Sequence, residues 1–262
     1  MIQESLADEW RASGVQSGDV LLVHSSTTRT FMRYFEQGTK IQPLDILESF
    51  VEAVGPFGTL LLPLFNFDFS QGVPFDICTT PSQMGLLTEA ARMHPSAVRT
   101  GHPIYSFAVI GHRAAEFKDV NNFSGYAEDS PFGLLREMKG RIAVLDLSDQ
   151  ASMTFYHHVE EKHEVPYRYH KTFTGEYTDA AGSTVSRTYG LFVRNIEDGV
   201  HAHLNPAGEL MWQEGLYRGH RPGVGCGLRT VSARDMYEFV SEIIRSGKAE
   251  GVLYRIEGEQ SE

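Results

Sequence analysis

Reactive side chains are densest in Phe155–Glu161 (FYHHVEE), where His157 and Glu160 stand three residues apart. On a helix this spacing brings both side chains to one face. A carboxylate that accepts a hydrogen bond from an imidazole fixes its tautomer and raises its basicity. The second ring nitrogen is then left to take a proton. General-base chemistry at His157 is one reading of the pair. A solvated helix face is the other, because the run is simply polar.

His24-Ser25-Ser26 closes the apolar run Val20–His24. In α/β sheets ligands gather at the carboxyl ends of strands, where amides and hydroxyls hold phosphate or carbonyl oxygens. Arg99 and His102 in RTGHPIYS offer positive charge for a phosphate, and an ordinary surface loop explains them equally well. The run Phe65-Asn66-Phe67-Asp68-Phe69 offers rings for a sugar face and Asp68 for a cationic amine, or else a buried aromatic loop.

Other chemistries leave weaker traces. Neither GxxxxGK[ST] nor GxSxG occurs, so a phosphate-binding P-loop and a nucleophile elbow are not expected. Gly223-Val224-Gly225-Cys226-Gly227 follows Arg221-Pro222 rather than a strand and reads as a tight turn. His201 and His203 would share one face of a strand, and with His157 or Glu160 they make a mixed nitrogen and oxygen set for a metal-dependent hydrolase. Neither HExxH nor CxxC supports it, and no metal is expected. Cys78 or Cys226 as a nucleophile would need an adjacent base; otherwise each is a small core residue.

Alternating helical and buried-strand patterns must position these groups. Helices are expected over Ile2–Ser13, Pro43–Val54, Ser82–Met93 (opened by Thr80-Pro81), Phe132–Met138 (opened by Ser130-Pro131), Ala151–Lys162, Asn205–Gln213 and Ala233–Ile244. Strands are expected over Val20–His24, Thr59–Phe65, Ser106–Ile110, Ile142–Leu147 and Val252–Ile256. Tyr167–Tyr177 and Thr184–Val193 read as an antiparallel pair joined at Ala181-Gly182. The fold class is α/β, a central mixed sheet flanked by helices, with that antiparallel pair in the C-terminal half. Residues 258–262 are expected to be frayed.

The 262 residues fit a single domain, 1–262, and 41% hydrophobic content is ample for a core. The net charge of −11 disfavours nucleic acid and mildly favours a cationic substrate. No apolar run approaches the roughly 18 residues that cross a bilayer, so no membrane partner is expected. The acidic, polar start MIQESLADEW is unlike a secretory signal, and two cysteines suggest no disulfide framework; a reducing cytoplasm is the expected home.

The ordered series GDVLLVHSS, GTLLLPLF, TTPSQMGLLTEAAR, RTGHPIYSFAVIG, SPFGLL, FYHHVEE, PYRYHKTF and RPGVGCGLRTVSARDMYEF resembles the aminoglycoside 3-N-acetyltransferase family over about residues 15 to 240. The resemblance implies that family's α/β fold, distinct from the common GNAT fold. It implies acetyl-CoA as co-substrate and an amine of an aminoglycoside or other amino sugar as acceptor, which includes surface-polysaccharide precursors. His157 matches the family's catalytic histidine, with Glu160 to orient it. His24, Ser25 and Ser26 match its coenzyme A site, with Arg99, His102 and Ser106 near the pantetheine or phosphates. Ser106 is also a candidate to stabilise the oxyanion. Asp68 and Tyr105 fall on the acceptor side, and a homodimer is compatible with the resemblance. Met153-Thr154-Phe155-Tyr156 and Tyr105 depart from the family pattern, and both departures touch the acceptor side.

Overall fold

In the computed structural model, residues 2–257 are described; the expected fraying at 258–262 lies outside them. The strands, in chain order, begin with β1 (Val20–Ser25), β2 (Thr59–Pro63), β3 (Phe75–Asp76), β4 (Val98–Arg99), β5 (Phe107–Gly111) and β6 (Arg141–Leu145). They continue with β7 (Arg168–Thr178), β8 (Thr184–Arg194), β9 (Val200–Ala202), β10 (Arg218–Gly219), β11 (Leu228–Ser232) and β12 (Tyr254–Ile256). A seven-stranded sheet runs β10-β11-β6-β1-β2-β5-β4. Its middle strand β1 pairs in parallel with β2 and β6, and the outer pairings are antiparallel. The sheet is therefore mixed, as expected.

Both faces of this sheet are covered, which is why its strands are apolar throughout rather than alternating. Leu21 and Val23 of β1 face a core that includes Trp10, Leu47 and Phe50. There Trp10 stacks on Phe50 at 4.8 Å and donates its indole N–H to Ser49 Oγ at 2.8 Å. Val20 and Leu22 face the larger core with Phe107, Phe132, Phe155 and Val144. Helix Pro43–Val54 starts with proline at its first position and stops at Gly55, whose φ of 69° suits a glycine. Ser130 caps helix Pro131–Glu137, its Oγ accepting from Gly133 N–H at 3.4 Å.

Two local expectations fail and one helix is unforeseen. Thr80-Pro81 does not open a helix, because Thr80 Oγ1 turns back to accept from Asp76 N–H at 2.9 Å; the helix begins only after Gly85, as Leu86–Arg92. Ala151–Lys162 is two helices, Asp149–Ser152 and Phe155–Lys162, broken at Met153, whose ψ is 67°. Helix Thr28–Glu36, unforeseen in a polar and β-branched stretch, follows directly on the end of β1.

Beside the main sheet lies a second, β3-β7-β8, whose long hairpin β7–β8 pairs eleven residues with eleven. Its turn is set by Asp179, whose Oδ1 accepts from the N–H groups of Ala181 and Ser183, and by Gly182 at φ 79°. Strands β9 and β12 form a separate pair. Among the described residues no helix is long and apolar enough to cross a membrane.

Candidate active site

Helix Phe155–Lys162 turns His157 and Glu160 toward the start of β7, where Tyr167 and Arg168 wait. His157 Nδ1 is 2.7 Å from Glu160 Oε2. The same oxygen is 2.9 Å from Arg168 Nε, and Tyr167 OH donates to Oε1 at 3.1 Å. Glu160 is buried. Burial alone would raise its pKa, yet Arg168, His157 and Tyr167 outweigh that effect and hold it below the ordinary value. Glu160 is therefore an anion that can only accept, so Nδ1 of His157 carries the proton and Nε2 keeps a lone pair. Burial, followed by the charge of Arg168, lowers the His157 pKa against the pull of Glu160. At neutral pH the ring is a neutral, oriented base.

His157 lines a cleft of about 770 Å³ together with Tyr105, Tyr126, Arg168, Tyr169 and Arg194, among others. The Tyr126 ring meets the His157 ring edge-on at 5.3 Å, and Tyr105 packs on Tyr126 at 4.8 Å. Burial raises the Tyr126 phenol pKa well above its ordinary value, so the hydroxyl stays protonated.

The remaining predicted residues divide sharply. Ser25 and Ser26 sit half-buried at the carboxyl end of β1, and neither hydroxyl has a side-chain partner among the described residues. His24 is buried at the same strand end with its Nε2 unpartnered; burial, with Arg229 adding to it, lowers its pKa to about 3. Tyr105 lines the cleft beside His157.

Four residues are placed differently. His102 is wholly buried: its Nδ1 accepts from Ile104 N–H at 3.2 Å and Tyr105 N–H at 3.0 Å, and its Nε2–H meets Gly190 O at 3.3 Å. Both ring nitrogens are thus spent on pinning the 102–105 turn to β8. Ser106 is also wholly buried, with Arg99 donating to its Oγ from two nitrogens at 3.2 Å. Arg99 further donates to the carbonyls of Ile77 and Thr80, and burial lowers its pKa to about 10. The hydrogen bonds of these three tie the 99–106 loop to its surroundings, and none of the three lines the cleft with His157. Asp68 lines a different hollow, with Asn66 and Pro81, and accepts from Gln83 Nε2 at 2.9 Å. It is not among the residues that line the cleft with His157.

Arg168, Tyr126 and Tyr167 escaped the sequence reading. PYRYHKTF stands out in the sequence only as a block, and it is the approach of Arg168 to Glu160 of helix Phe155–Lys162 that gives it a carboxylate. The metal reading finds no donor set: His201 pairs with Glu257 at 3.1 Å, and no group of three or more His, Cys, Asp or Glu placed to hold a metal occurs among the described residues. Cys226 lies buried against Ser13 Oγ at 3.2 Å and His220 Nδ1 at 3.4 Å, while Cys78 is exposed.

A mixed sheet whose flanking helix carries a carboxylate-held histidine, facing an open cleft, defines an α/β protein with a candidate site at that histidine. The sequence profile of the aminoglycoside 3-N-acetyltransferase family matches residues 22–245, and the chain belongs to that family. Aminoglycoside N(3)-acetyltransferase IV of Salmonella sp. is 31% identical over 171 residues, 61% of this chain and 62% of that protein. The YokD protein of Bacillus subtilis, an aminoglycoside N(3')-acetyltransferase-like protein, is 25% identical over 189 residues, 63% of this chain and 66% of its own length. The chain thus matches a little under two thirds of the length of these relatives. Among solved structures, AAC-IIIb in binary complex with CoASH shares the fold at a TM-score of 0.79, with 23% identity over 94% of this chain and 96% of that one.

Proposed function

We propose that this protein is an acetyl-CoA-dependent N-acetyltransferase that acts on an amine of an amino sugar, with His157 as general base in direct transfer. The observation that carries this reading is the buried Glu160 carboxylate, which leaves His157 neutral with its proton on Nδ1. A protonated amine has no lone pair to attack with, so a base must relieve it of a proton. His157 Nε2 accepts that proton, and Glu160 stabilises the resulting imidazolium. Acetyl-CoA would supply the acetyl group as a thioester. The unpartnered hydroxyls of Ser25 and Ser26, at the end of β1 and just ahead of helix Thr28–Glu36, suit its oxygens.

The test is the His157→Ala variant, assayed by thiol release with acetyl-CoA and a panel of amines, beside calorimetry with coenzyme A. Transfer is expected to vanish while coenzyme A binding persists. Near-normal turnover in that variant would remove His157 from the chemistry.

A further inference from the structure

We propose that the Tyr105 hydroxyl, oriented by Tyr126, donates the hydrogen bond that stabilises the oxyanion formed when the amine attacks the thioester. The inference rests on the acetyltransferase reading above and supplies the electrophilic side of that reaction, which a base alone leaves unassisted. Attack forms the C–N bond and moves the carbonyl electron pair onto oxygen. Collapse restores the carbonyl, breaks the C–S bond and expels the coenzyme A thiolate, which takes up the proton held by His157. The second amine proton goes to solvent. A donor fixed beside the transient oxyanion lowers both barriers, because that charge is absent from the ground state.

Ser106, which the sequence offers for this task, is buried and already accepts from Arg99. The side-chain hydroxyls that do line the cleft with His157 belong to Ser70, Tyr105, Tyr126 and Tyr169. Ser70 donates to Phe67 O at 2.7 Å, and Tyr169 stands exposed on β7. The other two pack toward the base. The Tyr126 ring lies 5.3 Å from the His157 ring, and the Tyr105 ring 4.8 Å from that of Tyr126. Their hydroxyls are hydrogen-bonded to each other, and neither side chain makes another hydrogen bond among the described residues. Two phenols bring two protons; one lies between the oxygens and the other has no protein acceptor. That proton is available to an oxygen of the substrate.

The spare proton belongs to Tyr105. Burial raises the pKa of both phenols. At Tyr105 the bond from Tyr126, followed by the charge of Arg168, offsets part of that rise, whereas at Tyr126 the bond to Tyr105 adds to it. Tyr126 is therefore the donor within the pair, and it polarises the Tyr105 O–H into a stronger one. The Tyr105 ring is also held in place. It packs 4.5 Å from Phe65 and 6.0 Å from Phe67, and its backbone N–H is tied to His102 Nδ1 at 3.0 Å. A donor already in position needs no reorganisation when the charge develops.

The experiment measures thiol release from acetyl-CoA, with whichever of gentamicin, sisomicin and glucosamine the wild-type protein turns over fastest, in Tyr105→Phe, Tyr126→Phe and the double variant. Tyr105→Phe keeps the ring and is expected to lower kcat by about 10²–10³, with both KM values and the pH dependence set by His157 unmoved. Tyr126→Phe should lower kcat by about tenfold, since Tyr105 keeps its proton and loses the partner that polarises it. The double variant should be no worse than Tyr105→Phe alone, because the pair acts as a unit. A kcat within about threefold of wild type in Tyr105→Phe overturns the inference, as does an effect confined to the KM of the amine. A larger loss in Tyr126→Phe than in Tyr105→Phe overturns it too. Should Tyr105→Phe fail to fold by its melting curve, Tyr126→Phe decides, and an unchanged kcat there sinks the pair. Full activity in Tyr105→Phe beside an inert His157→Ala removes this role and leaves the parent reading standing. Wild-type protein inert to every amine removes both.

Discussion

Arg168 Nε and His157 Nδ1 share a single oxygen of Glu160, at 2.9 and 2.7 Å. One carboxylate thus sets both the tautomer of the base and the charge beside it. Glu160→Gln keeps the shape but can present an amide N–H to Nδ1, which favours the wrong tautomer. Its kcat is expected to fall by about 10²–10⁴, the usual worth of general-base assistance. Steady-state thiol release checks it, with a melting curve to confirm folding; a loss under about threefold would mean that Glu160 does not orient the base.

The pH profile follows from the same triad. Burial and Arg168 depress the His157 pKa, and the base works only when neutral. Activity should therefore rise with pH along an acid limb centred below about 6.5, the unperturbed value. Arg168→Met removes a positive charge and leaves Glu160 unopposed, so the imidazolium gains stability and the limb moves to higher pH. A limb that stays in place, or moves down, contradicts this ordering of charges.

Acid should destabilise the fold through three buried histidines, His24, His102 and His158. Burial lowers His24 to about 3, and lowers His102 and His158 to about 4 against the pull of their backbone hydrogen bonds. Between these values and about 6.5 the unfolded chain binds protons that the folded chain refuses, so stability is fully present above that window and is lost as pH falls through it. From pH 6.5 to 5.5 each histidine contributes a loss of about 1 kcal/mol, about 3 kcal/mol together. Urea midpoints across this range measure it. The slope should flatten in His158→Phe, and an unchanged slope would remove that residue from the account.

A buried pair on the other side of the core makes a separate prediction. Asp149 accepts from Arg229 Nη2 at 2.8 Å, Tyr156 OH at 2.9 Å and Tyr217 OH at 2.6 Å. Asp149→Ala strands a buried guanidinium and should cost about 3–5 kcal/mol, whereas Asp149→Asn keeps an acceptor and should cost less. Chemical denaturation of both variants decides; equal losses would show that the charge itself is unimportant.

Legibility in the sequence follows range. Pro43, Ser130-Pro131 and the paired apolar runs act within a turn or a strand, and the elements they announce are present. The pairing of His157 with Glu160 is likewise local, three residues on one helix. Arg168, Arg99 and His102 are opaque because their partners come from outside their own elements: Glu160 from a helix, Ser106 from the turn that leads into β5, Gly190 from β8. Charged and polar side chains look alike in a string whether they face a ligand or satisfy the backbone of a distant loop. Thr80-Pro81 shows the same failure at short range, since its side chain bonds backward to Asp76 rather than forward into a helix.

The layout of two adjoining sheets bears on how such a catalyst diversifies. The base rides on a helix against the main sheet, whereas Lys171 and Arg194 stand on the β7–β8 hairpin of the smaller one. On the proposed reading, substitutions along that hairpin reshape the cleft wall while His157 and Glu160 stay in place. Arg168 belongs to both parts, standing on the hairpin while its guanidinium meets Glu160, so its freedom to drift is small.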